Sequence, residues 1–269
     1  MTEQEYNAAE GVRRSDLWKM NDSPEKFLYA MTHPDEPTPA LVFGAACHKW
    51  ILEYKDFLNE YVIAPTVDRR TKAGKEAWEN FCAENAGKTV ISNADFDLIE
   101  DMGNALMDHE LAGSFMFGKG SNEGAFFWTD PETGEKCKCK CDRLIERNGR
   151  IVIVDYKTAR SAQTEKFNSA IFSHGYHVQA AMYTEGVQTV MKLDYRPGFV
   201  FVAQEKDAPY AVNVIEVTED VMEYADRVYH DLLRKYHECK EMDVWPGYAE
   251  DVANECWLPG WAENETEEE

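Results

Sequence analysis

A chain of 269 residues with 28 Lys and Arg against 50 Asp and Glu carries a formal charge of −22, and its 13 Phe, 13 Tyr and 7 Trp exclude a disordered chain too poor in apolar side chains to fold. The length fits one large domain or two small ones. No apolar run reaches the ~18–20 residues that span a bilayer, and the acidic start MTEQEYNAAEG lacks an apolar segment, so the expectation is no signal peptide, no membrane partner and a cytoplasmic location.

Residues 13–31 read as two short helices, the first capped by Ser15 and the second by Ser23 with Pro24 at its first helical position. A Pro-rich break from His33 to Pro39 follows. Residues 40–54 form the most apolar helix, with Leu41, Ala45, His48 and Leu52 on one stripe, which points His48 inward; a core histidine is its plainest reading. The loop APTVDRRTKAGK leads into a helix over 73–84, and an amphipathic helix covers 93–108. After Gly118 and Gly120 the period becomes that of strands: 123–129, a Pro- and Gly-rich turn at 130–134, 135–146, a tight Asn148-Gly149 turn and 150–157 make a three-stranded meander. Helices over 163–173 and 176–189, strands over 198–204 and 210–217, and a long helix over 219–241 complete an α/β pattern, a mixed sheet flanked by helices. There is no internal repeat, and 263–269, with five Glu, reads as a solvated, disordered end.

So acidic a surface repels nucleic acid at long range, which excludes general DNA coating but not a nuclease with a local basic groove and divalent cations. Cys137, Cys139 and Cys141 alternate with Lys138 and Lys140 at strand spacing, as buried free thiols do. Only Cys239 and Cys256 fall late in the chain, so no iron–sulfur cluster is expected.

The chemistry concentrates in the meander. Asp142 lies on one strand, and Asp155 and Lys157, two residues apart on the next, share a face. The preceding run 151–154 is apolar at every position, as in a strand buried on both sides, so the charged pair belongs at the sheet's edge or in a cleft, where buried charges must be paired or hold a metal. Two carboxylates from neighbouring strands with a main-chain carbonyl form the hard oxygen set of Mg²⁺. A lysine beside them suits orienting a water or neutralising charge on a phosphate. The alternative is an ordinary strand-end ion pair with Asp142 in a turn. Gln179 and Tyr183, four apart, share one face of the helix that follows.

These residues, with GVRRSDLWKMNDSPEKFLY (11–29), FGAACHKWILE (43–53), APTVDRRTKAGKE (64–76), WTDPETGEKCKCKCDRLI (128–145), IVDYKTA (153–159), YHVQAAMYTEG (176–186) and the closing WP…LPGWA (245–262), resemble the PD-(D/E)XK nucleases, in particular the RecB-like branch and its RecE-type (exonuclease VIII-like) phage exonucleases. The resemblance implies a restriction-endonuclease-like core in one nuclease domain over 1–262, mainly helical over 1–110, with the sheet over 120–217 and a C-terminal helix and closing segment over 218–262. It implies Mg²⁺, with Mn²⁺ as a possible substitute, held by His48, Asp142, Asp155 and the Tyr156 carbonyl. It assigns catalysis to Asp142, Asp155, Lys157, Gln179 and Tyr183. Here Asp fills the second carboxylate slot, where Glu is commoner, and Cys141 stands where the motif has Pro.

The resemblance further implies a 5′→3′ exonuclease on linear double-stranded DNA that releases 5′-mononucleotides and leaves 3′ overhangs for a single-strand annealing protein. A ring-shaped homo-oligomer, trimer or tetramer, would concentrate positive charge in its channel. The best local basic groups for DNA are Arg13, Arg14, Arg69, Arg70, Lys72 and Lys75, although the 69–72 run reads equally as a solvated loop. Ser15 with Arg14 could hold a 5′-phosphate, or Ser15 could simply cap its helix. Glu123 is either a solvated strand end or a ligand of a second ion. Two other functions stay open: a structure-selective endonuclease on the same fold and a catalytically silent DNA-end-binding scaffold.

Overall fold

The computed structural model describes residues 1–33, 36–249, 251–253 and 255–257; the expected acidic tail and the LPGWA of the closing segment lie outside these. The chain opens with α1 (Glu3–Ala8), α2 (Arg14–Asp22), α3 (Pro24–Thr32), α4 (Pro39–Leu52) and α5 (Tyr54–Glu60). A short parallel pair, β1 (Tyr61–Ile63) with β2 (Thr89–Ile91), brackets α6 (Lys72–Glu84), and α7 (Asn93–Asp108) and α8 (Glu110–Phe117) follow. The main sheet comprises β3 (Gly120–Thr129), β4 (Lys136–Arg147), β5 (Arg150–Ala159), β6 (Gly198–Glu205) and β7 (Val212–Glu216). Between β5 and β6 run α9 (Thr164–Ser173) and α10 (Tyr176–Met191), and α11 (Glu219–Met242) closes the described fold.

The strand order is β3-β4-β5-β6-β7, antiparallel except for the parallel β5–β6 pair, so the sheet is mixed and flanked by helices, as the sequence pattern indicates. Alternation along β5 and β6 divides the core into two layers. Ile153, Phe199 and Phe201 face α2, α10 and α11 with Cys137, Cys139 and Cys141, whereas Val154, Tyr156, Val200 and Val202 face α4, α7 and α8. Each fully buried Phe contributes about 1.5–3 kcal/mol of transfer free energy. All three meander thiols are free and buried.

The structure corrects four expectations. Ser15 does not cap α2: Arg13 is the N-cap, and Asp16 in the first turn accepts the Arg13 N–H (3.4 Å) and its Nε (3.0 Å), satisfying the helix end from inside. Ser23 does cap α3, accepting the Lys26 N–H at 3.2 Å. In α4 the buried residues are Ala46, Cys47 and Leu52, while Leu41 is 64% exposed, so of the expected stripe only Leu52 is buried and Ala46 and Cys47 take the inward positions. A helix that is apolar nearly all round carries little periodic signal to fix its face, and His48 turns toward a cleft instead of the core. β5 is the central strand and runs on to Ala159, so Asp155 and Lys157 sit neither at its end nor at the sheet's edge. Ile151 and Val152 are only half-buried. The short elements α1, α5, α8, β1 and β2 fall below the length at which periodicity declares itself.

Candidate active site

The site is a fork between two strands. The β4–β5 ladder ends at Arg143↔Val154, so Asp142 and Asp155 are the first residues beyond the last pair. There Asp142 Oδ2 accepts the Tyr156 N–H at 2.9 Å, a side chain taking the place of a strand partner. As β5 leaves, the N-terminal segment moves in. Val12 donates its N–H to the Lys136 carbonyl (2.8 Å) and accepts from the Lys138 N–H (3.0 Å), a parallel bridge along β4. That bridge carries Arg13, Arg14 and Ser15 to the mouth of a cleft of about 450 Å³, which is also lined by His48, Glu123, Asp142, Asp155, Lys157, Gln179 and Tyr183.

Asp155 is 1% exposed. Its Oδ1 accepts a short hydrogen bond from Gln179 Nε2, and Arg14 Nη2 donates to Gln179 Oε1 at 2.9 Å, which fixes the amide's orientation. Arg14 is itself placed by the His174 carbonyl at 3.1 Å and the Tyr176 ring. Asp155 Oδ2 lies 2.5 Å from Lys157 Nζ, yet the approach is not aligned as a hydrogen bond, and this buried oxygen has no other partner. Lys157 also sits 5.0 Å from the Tyr176 ring centre.

Burial, and then the Asp155 charge, push the Asp142 carboxyl up to about 7. Burial, and then the Lys157 ammonium, push His48 down to about 4, so its imidazole is neutral near pH 7 and a free ring nitrogen can serve as a ligand. His48 Nδ1 stands 3.4 Å from Asp142 Oδ2, and the ring meets Tyr156 edge-on at 5.1 Å. The Tyr156 side chain goes to the opposite layer, where its hydroxyl donates to Gln204 Oε1 at 2.7 Å; only its backbone belongs to the fork. Burial holds the Tyr183 phenol protonated.

Two expectations about the surroundings change. Glu123 is no solvated strand end: it is paired with Lys140, its side chain is only 18% exposed, and burial raises its pKa. Arg69, Arg70, Lys72 and Lys75 do not line the cleft. Arg69 stacks 4.3 Å over Trp78, Arg70 pairs with Asp68 at 3.0 Å, and the two lysines are exposed in the first turn of α6. That loop is folded on itself by Asp68 and Thr71.

The sequence reading passed over Glu3, Tyr6, Lys49, Glu53, Glu60 and Lys140, all of which line the cleft. Of these, Lys140 was findable, because it precedes Asp142 by two residues on the same strand face.

Among the described residues no three His, Cys, Asp or Glu side chains converge as a ready-made metal cage. The fork nevertheless fits a Mg²⁺-type ion, which keeps several waters and takes only one or two protein carboxylates. The orphaned, buried Asp155 Oδ2 beside Asp142 supplies that oxygen pair, and His48 and the Tyr156 carbonyl adjoin it.

The family described as "PDDEXK-like domain of unknown function (DUF3799)" matches residues 14–256. No curated protein matches the chain. Among solved structures, the chain resembles a "Putative exonuclease" from Eubacterium rectale at 15% identity, covering 96% of each chain with a TM-score of 0.63, a likeness of fold. SSO0001 aligns over 86% of this chain and 81% of its own at 13% identity, but its TM-score of 0.39 is too low to carry weight.

Proposed function

The chain belongs to the PDDEXK-like family, within the PD-(D/E)XK superfamily, and from that premise and the geometry of the fork we propose that it is a metal-dependent deoxyribonuclease of the RecE type. In this reading it digests linear double-stranded DNA 5′→3′, releases 5′-mononucleotides and leaves 3′ overhangs for a single-strand annealing protein. The exonucleolytic mode is supported by what the E. rectale structure is called, and the direction, the partner and a ring of three or four copies by the RecE-type resemblance. The observation that carries the proposal is Asp155, 1% exposed and with one oxygen lacking an aligned partner, lining an open cleft that also holds a second carboxylate and an ammonium.

Asp142, Asp155, His48 and the Tyr156 carbonyl would hold Mg²⁺, or Mn²⁺ in its place, which when bound polarises the scissile phosphate and acidifies a water. Lys157 orients the attacking water and offsets charge developing on the phosphate. Gln179 and Arg14 hold Asp155 in one rotamer, with Oδ1 engaged by the amide and Oδ2 left beside Lys157. Arg13, Arg14 and Ser15 stand at the mouth, where a terminal phosphate would enter. Tyr183 presents its protonated hydroxyl to the same cavity.

The test is a time course on linear duplexes labelled at one 5′ or one 3′ end, beside covalently closed circles, with Mg²⁺ or chelator. Early release of the 5′ label as mononucleotide, with circles intact, is the expected result. Cleavage in chelator would overturn the metal chemistry, and cut circles would overturn the exonuclease mode.

A further inference from the structure

The cleft is walled at one end by a segment with no part in the chemistry above. α1 lies across it, tied down at its C-terminal end by Lys138, which is 3% exposed and donates to the carbonyls of Tyr6 (2.9 Å) and Ala9 (2.5 Å). Tyr6 packs against Phe127 and over the Lys138 ammonium. At the other end Glu3 pairs at 2.6 Å with Lys140 of β4, which also pairs with Glu123 of β3. Against its partial burial, Lys140 and, from the α4 side, Lys49 hold the Glu3 carboxyl below its usual range. α1 is thus held to β4 at both ends, with Glu3 and Tyr6 on the wall of the cleft.

The wall also has a sign. Glu3 and Glu123 share Lys140, and Glu53 and Glu60 share Lys49 at 2.8 and 3.1 Å, so four carboxylates face the cavity with two ammonium groups between them. Arg13, Arg14 and Lys157 line the same cavity beside Asp142 and Asp155, three cations to two acids, with Arg13 also paired to Asp16. Phosphates are drawn to the arginine side and repelled from the other. A cleft of about 450 Å³ is of the size that encloses a single drug-sized molecule, and a mononucleotide is one; a running strand needs both ends open.

We infer that α1 and the Glu3–Lys140–Glu123 bridge form an end stop, which admits a strand terminus but not a strand that passes through, and which sets the released product at one nucleotide. This rests on the nuclease reading for its substrate and adds the residues that enforce its exonucleolytic mode. α1 precedes residue 14, where the family match begins, while Lys140 and Glu123 lie within it.

The test uses the full-length chain and the variant Thr2→Ala/Glu3→Ala/Glu5→Ala, which removes the exposed capping box of α1 and its clamp while leaving the buried Tyr6 in place. Glu3→Ala alone is the milder second variant, and thermal melts verify folding of both. Binding is measured in chelator to a linear single-stranded oligonucleotide and to its covalently closed circle; product lengths are measured with Mg²⁺. The unaltered chain is expected to bind the linear strand at least about tenfold more tightly than the circle, and the triple variant to reduce that preference to under about threefold. With Mg²⁺ the variant's products lengthen to di- and oligonucleotides. Equal binding of strand and circle by the unaltered chain, or an unchanged preference in the variant, overturns the stop whatever happens to hydrolysis. A preference that is present and then lost, without any hydrolysis, upholds the stop and defeats the nuclease reading instead.

Discussion

Two buried acids of this fold show how differently a protein treats a carboxylate. Glu135, at the start of β4, is 6% exposed; His237 Nδ1 at 2.9 Å and Lys240 Nζ at 2.7 Å, both from α11, take one oxygen each. Burial alone would raise its pKa, but these two partners outweigh burial and hold it below the usual carboxylate range. Asp155 is more deeply buried and differently served, with one oxygen fixed by Gln179 and the other facing the Lys157 ammonium at 2.5 Å without hydrogen-bond alignment. Asp130 Oδ2 also lacks a hydrogen-bond partner, but its other oxygen closes a turn with Thr133 and it does not line the cleft. A satisfied acid staples α11 to the sheet. An unsatisfied one in a cleft stores a deficit that a ligand can relieve.

The largest separation of the two should come from neutralising each. Asp155→Asn or Lys157→Ala is expected to lower nucleotide release by on the order of 10³-fold; the first removes the buried charge and leaves the melting temperature unchanged or higher, whereas the second strips Asp155 of its ammonium partner and lowers it. Retained hydrolysis in either would break the contrast. Next, Arg14→Met or Gln179→Ala, which free the Asp155 rotamer, should cost roughly 10–100-fold in activity and weaken Mg²⁺ binding in parallel. Activity loss with unaltered Mg²⁺ affinity would reassign both to DNA contact.

Glu135→Gln is the mirror experiment. Its partners are 34% and 48% exposed, so the loss is held to about 1–2 kcal/mol of unfolding free energy, with hydrolysis per folded molecule intact. The smallest effect is in pH. Asp142 has a folded pKa of about 7, above the unfolded value of 3.8, so its stabilising contribution is full below about 4 and is lost as pH rises through about 7. Glu135, with a depressed pKa, contributes above its unfolded value of 4.5 and loses that contribution as pH falls. A cation must displace the Asp142 proton, so the rise in melting temperature on adding Mg²⁺ should be larger at pH 8 than at pH 5.5. An equal rise at both would sever the carboxylate from the ion.

The same contrast marks what was legible in the sequence. The meander, α10 and α11 were readable because their turns carry Pro, Gly and Asn-Gly and their periods run long. The fork residues Asp142, Asp155 and Lys157 were readable because strand alternation puts charges where an apolar run forbids them. Strand separation at Asp142 was not, because it depends on Val12 pairing with β4 from 125 residues away in sequence. For the same reason Arg14 could be named as basic but not as the partner of Gln179. That the basic loop at 69–75 lies outside the cleft was not legible either, because local spacing cannot distinguish an arginine aimed at the cleft from one lying on Trp78.

The central claim is that the orphaned oxygen of the fork is a cation ligand, and calorimetric titration of Mg²⁺ into the full-length chain, Asp155→Asn and Glu135→Gln tests it most directly. Binding to the unaltered chain and to Glu135→Gln, weakened at least about tenfold in Asp155→Asn, is the predicted result. Equal affinity in all three would contradict it.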